Sequence, residues 1–206
     1  MMKKLLLLPL LLIIFSLGLQ AQYFGIRGGY NFTDAQLDIG GLELETGSQG
    51  NLMLGLFVDL PIGTDLISIQ PELNYLGRGY DYELQVSQTT IETQLAYLDL
   101  GALIKLNFGS DAPLGFYLGA GPFFNYAISG TLIESGDDRE IDFDADRLRR
   151  GEVSVAGVVG ITFGGSTQLF IEGRYLASIS DLSDDETISI SQNSIGINGG
   201  FRVPLF

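Results

Sequence analysis

Between Leu52 and Tyr75 the chain alternates apolar and polar residues with a period of two, twice over, across a Pro-Gly turn. Leu52, Leu54, Leu56, Val58 and Leu60 share one face; Met53, Gly55, Phe57 and Asp59 share the other. After Pro61-Ile62-Gly63-Thr64-Asp65 the faces resume, with Ile67, Ile69, Pro71, Leu73 and Tyr75 against Ser68, Gln70, Glu72 and Asn74. Successive side chains of a strand point to opposite faces, so alternation this long describes a hairpin with a different medium on each side.

The unit recurs down the chain. Tyr23–Phe32, Leu95–Phe108, Phe116–Ser129, Gly151–Phe163, Gln168–Ser178 and the stretch after Ser189 alternate in the same way, which with the hairpin makes eight strands. The stretches between them are long and polar at Thr33–Gly50, Leu76–Thr90 (where Tyr80 and Tyr82 are candidates to extend the strands), Gly130–Arg150 and Ile179–Ser189, and short at Pro61–Asp65, Gly109–Gly115 and Gly164–Thr167. Long and short connections in turn predict an all-β fold, an eight-stranded antiparallel up-and-down transmembrane β-barrel, with its short turns in the periplasm and four loops outside the cell. Pro71 and Pro122 each remove a ladder donor inside a strand, which predicts bulges or local distortions there.

A soluble, lipocalin-like periplasmic binder is the structural rival, since it too has about eight alternating strands. Its outward face would need many charges. Here the more polar face carries Gly, Ser, Ala and Asn with a few ions, and the apolar face carries no charge in any strand. One Arg or Lys facing lipid at the bilayer midplane costs ~2–4 kcal/mol, a penalty that selects charge-free faces. Phe24, Phe108, Phe116, Phe163 and Phe201 fall near the short-turn ends, and Tyr30, Phe32, Tyr75, Tyr126 and Tyr175 nearer the loops. Two aromatic belts are expected where rings meet the membrane interfaces.

Export is written at the N-terminus. Lys3 and Lys4 precede an apolar run, Leu5–Leu19, and Leu19-Gln20-Ala21 offers a small-residue cleavage site. This reads as a signal peptide over residues 1–21, leaving the barrel domain at 22–206; the run is shorter than the ~20 residues of a spanning helix. Composition then removes function classes. Cys is absent, so no disulfide framework exists. His is absent too, which excludes Ser-His sites and the commonest metal ligand. Without Lys3 and Lys4, 9 basic residues stand against 25 acidic ones, a balance that excludes nucleic acid as a partner.

The chain from Tyr23 to Phe206 resembles the PorT-like family of bacterial outer-membrane β-barrels. The stretches that carry the resemblance are Gly25-Ile26-Arg27-Gly28-Gly29-Tyr30-Asn31, Pro71-Glu72-Leu73-Asn74-Tyr75, Tyr97-Leu98-Asp99-Leu100, Gly119-Ala120-Gly121-Pro122 and Arg174-Tyr175. Gly101 stands where relatives often carry Pro. The resemblance implies a small barrel with a signal peptide. The namesake's tie to protein secretion is not transferred by a shared fold.

Three constellations are candidates for function. Arg27, Lys105, Arg174 and Arg202 share the inward face with Asp59, Glu72, Asp99, Glu152 and Glu172. An eight-stranded barrel is just wide enough for side chains to fill, so these ions are expected to form a plugging network centred on Arg174 with Glu72 or Glu172; the alternative is a narrow ion path. The loops are acidic, with Asp34, Asp38, Glu43 and Glu45 in the first, Asp137, Asp138, Glu140, Asp142, Asp144 and Asp146 in the third, and Asp181, Asp184, Asp185 and Glu186 in the fourth. Asp142-Phe143-Asp144-Ala145-Asp146 opens like a calcium loop, but Arg147 and Val153 occupy the positions that need Gly and Glu; no metal site and no cofactor are expected. Phe206 ends the chain like the signal read by the barrel-assembly machinery, although Pro204 and its parity depart from that pattern. The expectation is a monomeric, non-enzymatic outer-membrane barrel, in contact with membrane lipid and displaying loops to a protein partner. Its rival is a small pore or an accessory of a transport or secretion machine.

Overall fold

The computed structural model describes residues 23–39, 41–44, 46–84, 89–109, 112–134, 137–145, 148–183 and 188–205. The expected signal peptide and Phe206 lie outside them. Ten strands run in order: β1 (Tyr23–Ile39), β2 (Leu42–Leu44), β3 (Gly47–Ile62), β4 (Thr64–Leu84), β5 (Thr89–Phe108), β6 (Leu114–Glu134), β7 (Asp137–Glu140), β8 (Gly151–Gly164), β9 (Gln168–Ser178) and β10 (Ile188–Pro204). Eight of them form an antiparallel ring that β10 closes on β1, from Tyr23↔Pro204 to Ile39↔Ile188. The short β2 and β7 pair with β1 and β6 above the ring. The tightest turn, between β3 and β4, is made by Gly63 at φ +69°, a left-handed conformation that glycine adopts without penalty.

The faces fall as their alternation dictates. Leu52, Leu54, Leu56, Leu73, Leu100, Ile104, Val159, Ile171 and Ile197 are exposed around the outside, while Asp59, Glu72, Asp99, Lys105, Glu172 and Arg174 are buried within. The expected belt residues all lie on the outward face, among them Phe108, Phe116 and Phe201 below and Tyr30, Tyr75, Tyr126 and Tyr175 above. A lipocalin would carry its apolar residues inside; here the inside is ionic, so the soluble reading is set aside. No helix among the described residues is long and apolar enough to cross a membrane; the strands make the crossing.

Two expectations are corrected. The stretches 33–50 and 76–90 are not loops in the main but continuations of β1, β3, β4 and β5, and residues 130–134 continue β6. A crossing takes only ~9–11 residues per strand, whereas β4 and β6 have 21 each and β8 and β9 only 14 and 11. The wall is therefore tall at β4–β6 and low at β8–β9. Along β5, Leu98, Leu100, Ile104 and Leu106 face outward in the lower part, but above them Thr90, Glu92 and Gln94 face outward while Ile91, Leu95 and Tyr97 turn inward. The backbone keeps its parity while the hydrophobic pattern changes phase, because the outer medium changes from lipid to water. Thr89–Tyr97 adds about 30 Å of strand, roughly 20 Å of height at the usual tilt.

Of the two outcomes expected at the prolines, local distortions are found and bulges are not. Pairing of β3 with β4 passes from Phe57↔Glu72 to Leu60↔Ile69 around Pro71 with register unchanged. Pairing of β5 with β6 likewise passes from Gly101↔Phe123 to Ile104↔Ala120 around Pro122. Each proline leaves a gap in one ladder, at the position where its missing N–H would have donated, while the ladder on its other side runs on. The bulge in the β5–β6 ladder lies at Ala96/Tyr97, where the hydrophobic pattern changes phase.

Candidate functional site

Alternation places the inward ions of eight strands in one narrow lumen, where they form three layers. In the middle layer, Arg27 from β1 reaches Glu72 on β4 and Glu172 on β9 at 2.7 Å each. Arg174, two residues along β9, reaches the same two carboxylates at 2.9 and 3.3 Å. Tyr117 adds a hydroxyl donor to Glu172 at 2.8 Å. Toward the short turns, Lys105 and Arg202 converge on Asp59. Lys105 also donates to Gln70, which donates to Glu72, joining the lower layer to the middle one. Toward the long loops, Arg78 bridges Asp99 at 3.1 Å and Glu152 at 3.0 Å. The structure thus brings all nine expected lumen ions into contact with opposite charges and adds a tenth, Arg78. Arg78 follows the parity of Glu72 and Asn74 along β4, a signal hidden by its Gly77-Arg78-Gly79 setting, which reads as loop.

The layers also differ in charge. Two cations meet one carboxylate in the lower layer, two meet two in the middle, and one meets two in the upper. Their sum is zero, with a positive excess toward the short turns and a negative one toward the long loops. Buried charge is tolerated only when paired and hydrogen-bonded, and this pairing spans the crossing segment.

Every lumen cation also lies over an inward ring. Arg27 sits 4.6 Å from the centre of Phe57, Arg78 4.6 Å from Tyr97, Lys105 4.4 Å from Tyr117, Arg174 5.6 Å from Phe123 and Arg202 4.6 Å from Tyr23. Glycine makes room for three of these rings. A Cβ at Gly25 would overlap Phe57, one at Gly101 would overlap Phe123, and one at Gly160 would overlap Tyr117. The rings lie flat against the neighbouring strand and present their faces to the cations. Two cavities of about 10 Å³ each lie in the lumen, one beside Asn31, Asn74 and Asp99 and one beside Gln70, Lys105 and Thr162. Each has room for about one water.

Above the upper layer an apolar cluster fills the mouth, beside the buried Thr93 and Gln192. Ala35, Tyr80, Leu95, Tyr97, Ala127 and Ile190 from the walls pack with Ile141, Phe143 and Leu182 from the third and fourth loops. The loops fold inward over the mouth. The Ile141 amide donates to Gly130, the Leu148 amide to Phe143 and the Arg149 amide to Leu182, and Leu148 bridges to Ser183. Leu182 continues the sheet past the end of β9 by donating to Ile190. Asp181 fixes this turn by accepting the amides of Ser183 and Ile190 at 2.9 Å each. Partial burial acts to raise the Asp181 pKa, but those two amides outweigh it and hold the carboxyl below its ordinary 3.8. In the calcium-like stretch, Asp142 Oδ1 accepts the amides of Asp144 and Ala145 and so serves its own turn; Asp146 and Arg147 lie outside the described residues. No group of three or more carboxylates among the described residues is placed to hold a metal ion.

The fold is shared with outer-membrane barrels of known structure. OprG from Pseudomonas aeruginosa is 13% identical, with a TM-score of 0.52, over 91% of this chain and 98% of that one. Neisserial surface protein A is 15% identical, with a TM-score of 0.49, over 87% and 96% of the two chains. Ail of Yersinia pestis is 12% identical, with a TM-score of 0.43, over 89% and 99%. Among curated proteins none matches the chain. The likeness to OprG shows the fold, and the residues of the first nine strands carry the family: the chain belongs to the outer membrane protein β-barrel domain family, whose model matches residues 20–184.

Proposed function

We propose that this outer-membrane barrel is a non-conducting, non-enzymatic scaffold that holds a rigid extracellular storey for a protein partner. The observation that carries this reading is the filled lumen: three paired ionic layers, an apolar plug above them, and cavities of about 10 Å³. On this reading the stack leaves a hydrated ion no continuous path. The storey above the membrane has an apolar interior and an acidic exterior, the composition of a soluble domain built onto a barrel. The absence of His from the whole sequence supports the non-enzymatic reading. In planar bilayers the refolded protein should give no single-channel events; steady, reproducible steps would overturn the scaffold and favour the pore.

The PorT-like resemblance favours a second reading, an accessory of an export machine. It rests on the short stretches around Arg27, Glu72, Asp99, Pro122 and Arg174. Three of these ions, Arg27, Glu72 and Arg174, meet in the middle layer, so the stretches are explained by barrel packing alone. A deletion strain with normal protein secretion would dismiss this second reading; a specific export defect would establish it.

A further inference from the structure

We propose that the upper ionic layer is a proton-binding site: Asp99 and Glu152 hold one proton between them as well as one guanidinium, and its loss loosens the apolar cluster of the mouth. The charge count carries the first half. The cation of this layer is Arg78, which bonds Asp99 through Oδ2 and Glu152 through Oε2. Both carboxylates are buried, at 2% and 1% exposure. Their second oxygens, Asp99 Oδ1 and Glu152 Oε1, have no hydrogen-bond partner among the described residues. Two ionised carboxylates on one guanidinium leave one negative charge uncompensated. A buried charge without a partner is too costly to keep, and of two carboxylates sharing a site one takes up a proton. A single proton on either orphaned oxygen neutralises the layer and turns an acceptor without a donor into a donor.

The other layers do not meet this excess. In the middle layer two cations face two carboxylates. The lower layer has a surplus cation, but Lys105 and Asp99 are six residues apart on β5, about 20 Å of strand. Its extra donors are met by neutral oxygens nearby, those of Lys105 by Gln70 and of Arg202 by Gln168. Around the pair, Arg78 and Tyr80 come from β4, Tyr97 from β5 and Arg174 from β9. Arg174 is already held by Glu72 and Glu172. The residues that face the pair from β1, β3, β6 and β10 are Asn31, Met53, Asn125 and Ser194, all uncharged. Asn125 is in register with both carboxylates, but its carbonyl oxygen accepts from Ser154 and its amide bonds neither of them. Arg150, two residues before Glu152, spends its guanidinium on the Phe143 ring and the Ala127 carbonyl.

This layer is the floor of the mouth. The Arg78 guanidinium lies 4.6 Å from the centre of Tyr97. Tyr97 shares one cluster with Tyr80, Leu95 and Ala127 of the walls and Ile141, Phe143 and Leu182 of the loops. With the proton bound, that cluster rests on a neutral layer. Without it, an uncompensated charge lies under apolar side chains, and water must enter to solvate it. The mouth is therefore tight below the pH at which the proton leaves and looser above it, the opposite sign to a carboxylate that is stabilised in its ionised form.

The test is infrared spectroscopy of the full-length protein refolded in detergent micelles, read above the amide band, where a protonated carboxylic acid absorbs. Surface carboxylates are ionised at pH 7, so the wild type should show about one protonated carboxyl per chain there, shifted in D2O and lost at alkaline pH. Glu152→Gln and Asp99→Asn each leave one carboxylate to one guanidinium, so each should abolish the band. Heat-modifiable migration shows whether these variants are folded, and the wild-type band is a test without them. The Ile141 and Arg149 amides close the mouth on Gly130 and Leu182. Their exchange, corrected for intrinsic rate, should quicken in the wild type by up to about tenfold per pH unit as the proton leaves, the limit for one linked proton, and stay level in Glu152→Gln. A wild type without the band would overturn the proposal, in favour of a bound metal ion if stability follows Na+ in place of choline, and of two ionised carboxylates if it does not. A band that survives both substitutions would put the proton elsewhere, and wild-type exchange indifferent to pH would sever the layer from the mouth; either result overturns the proposal as well.

Discussion

Arg78 stands alone between Asp99 and Glu152, so its removal leaves two buried carboxylates facing each other without a cation. Arg78→Met should destabilise the barrel by about 3–5 kcal/mol, the usual consequence of orphaning a buried ion. Urea unfolding in detergent micelles would measure it. Glu72 is shared by Arg27 and Arg174, so Glu72→Leu should cost a similar ~3–5 kcal/mol, and adding Arg174→Met should restore part of the loss. A double variant less stable than the single one would refute the view that the middle layer acts as a unit. Glycine is read the same way. Gly160→Val should displace Tyr117 and, through its hydroxyl, loosen Glu172, at a cost of roughly 1–3 kcal/mol. The nine other lumen ions were legible as residues of one face, since parity alone places them inside. Who pairs with whom was less legible, because cross-lumen distances depend on the stagger of the closed ring. The rings above the cations were invisible as partners: Phe57, Tyr117 and Phe123 interrupt a polar face, and nothing in their spacing says that a charge lies over them.

At the level of the strand, the membrane segments were legible and their upward continuations were not. Alternation with an apolar outward face finds Leu95–Phe108 at once. It fails for Thr89–Gln94, where the same strand turns Glu92 and Gln94 outward and Ile91 inward. A reading that tracked the phase of the alternation, rather than its apolar face alone, would have found both. Spin labels give the check. A label at Gln94→Cys should report collisions with a water-soluble relaxant, and one at Leu100→Cys with oxygen dissolved in lipid. The reverse order would misplace the boundary. The mouth is held by Asp181, whose depressed pKa fixes the sign of a pH effect. Its stabilisation of the fourth-loop turn is fully present above its unfolded value near pH 4 and is lost as pH falls through the lower folded value. Amide exchange at Ser183 and Ile190, corrected for intrinsic rate, should quicken in that acid range in the wild type, and Asp181→Ala should remove the pH dependence.

For the whole molecule, a closed ring with a paired lumen should resist detergent, so the unboiled protein should migrate faster on a gel than the boiled one. A single band position under both conditions would contradict closure. The architecture was legible as a count of strands and an order of long and short connections. The height of the wall was not, because it follows from the phase change within single strands. The seam between β1 and β10 has a consequence for biogenesis. Tyr23 finds Pro204 only after every strand between them has been delivered, so the ring cannot close before β10 arrives. Until then β1 and β10 are bare edges, and the outward leucines have neither lipid nor partner. Arg202 reaches Asp59, and Arg27 reaches Glu172, only across this late closure. The ionic layers are thus completed at the end of assembly, and a chain stalled in the periplasm would carry unpaired edges and uncompensated charges together, the combination that quality-control proteases and chaperones can recognise.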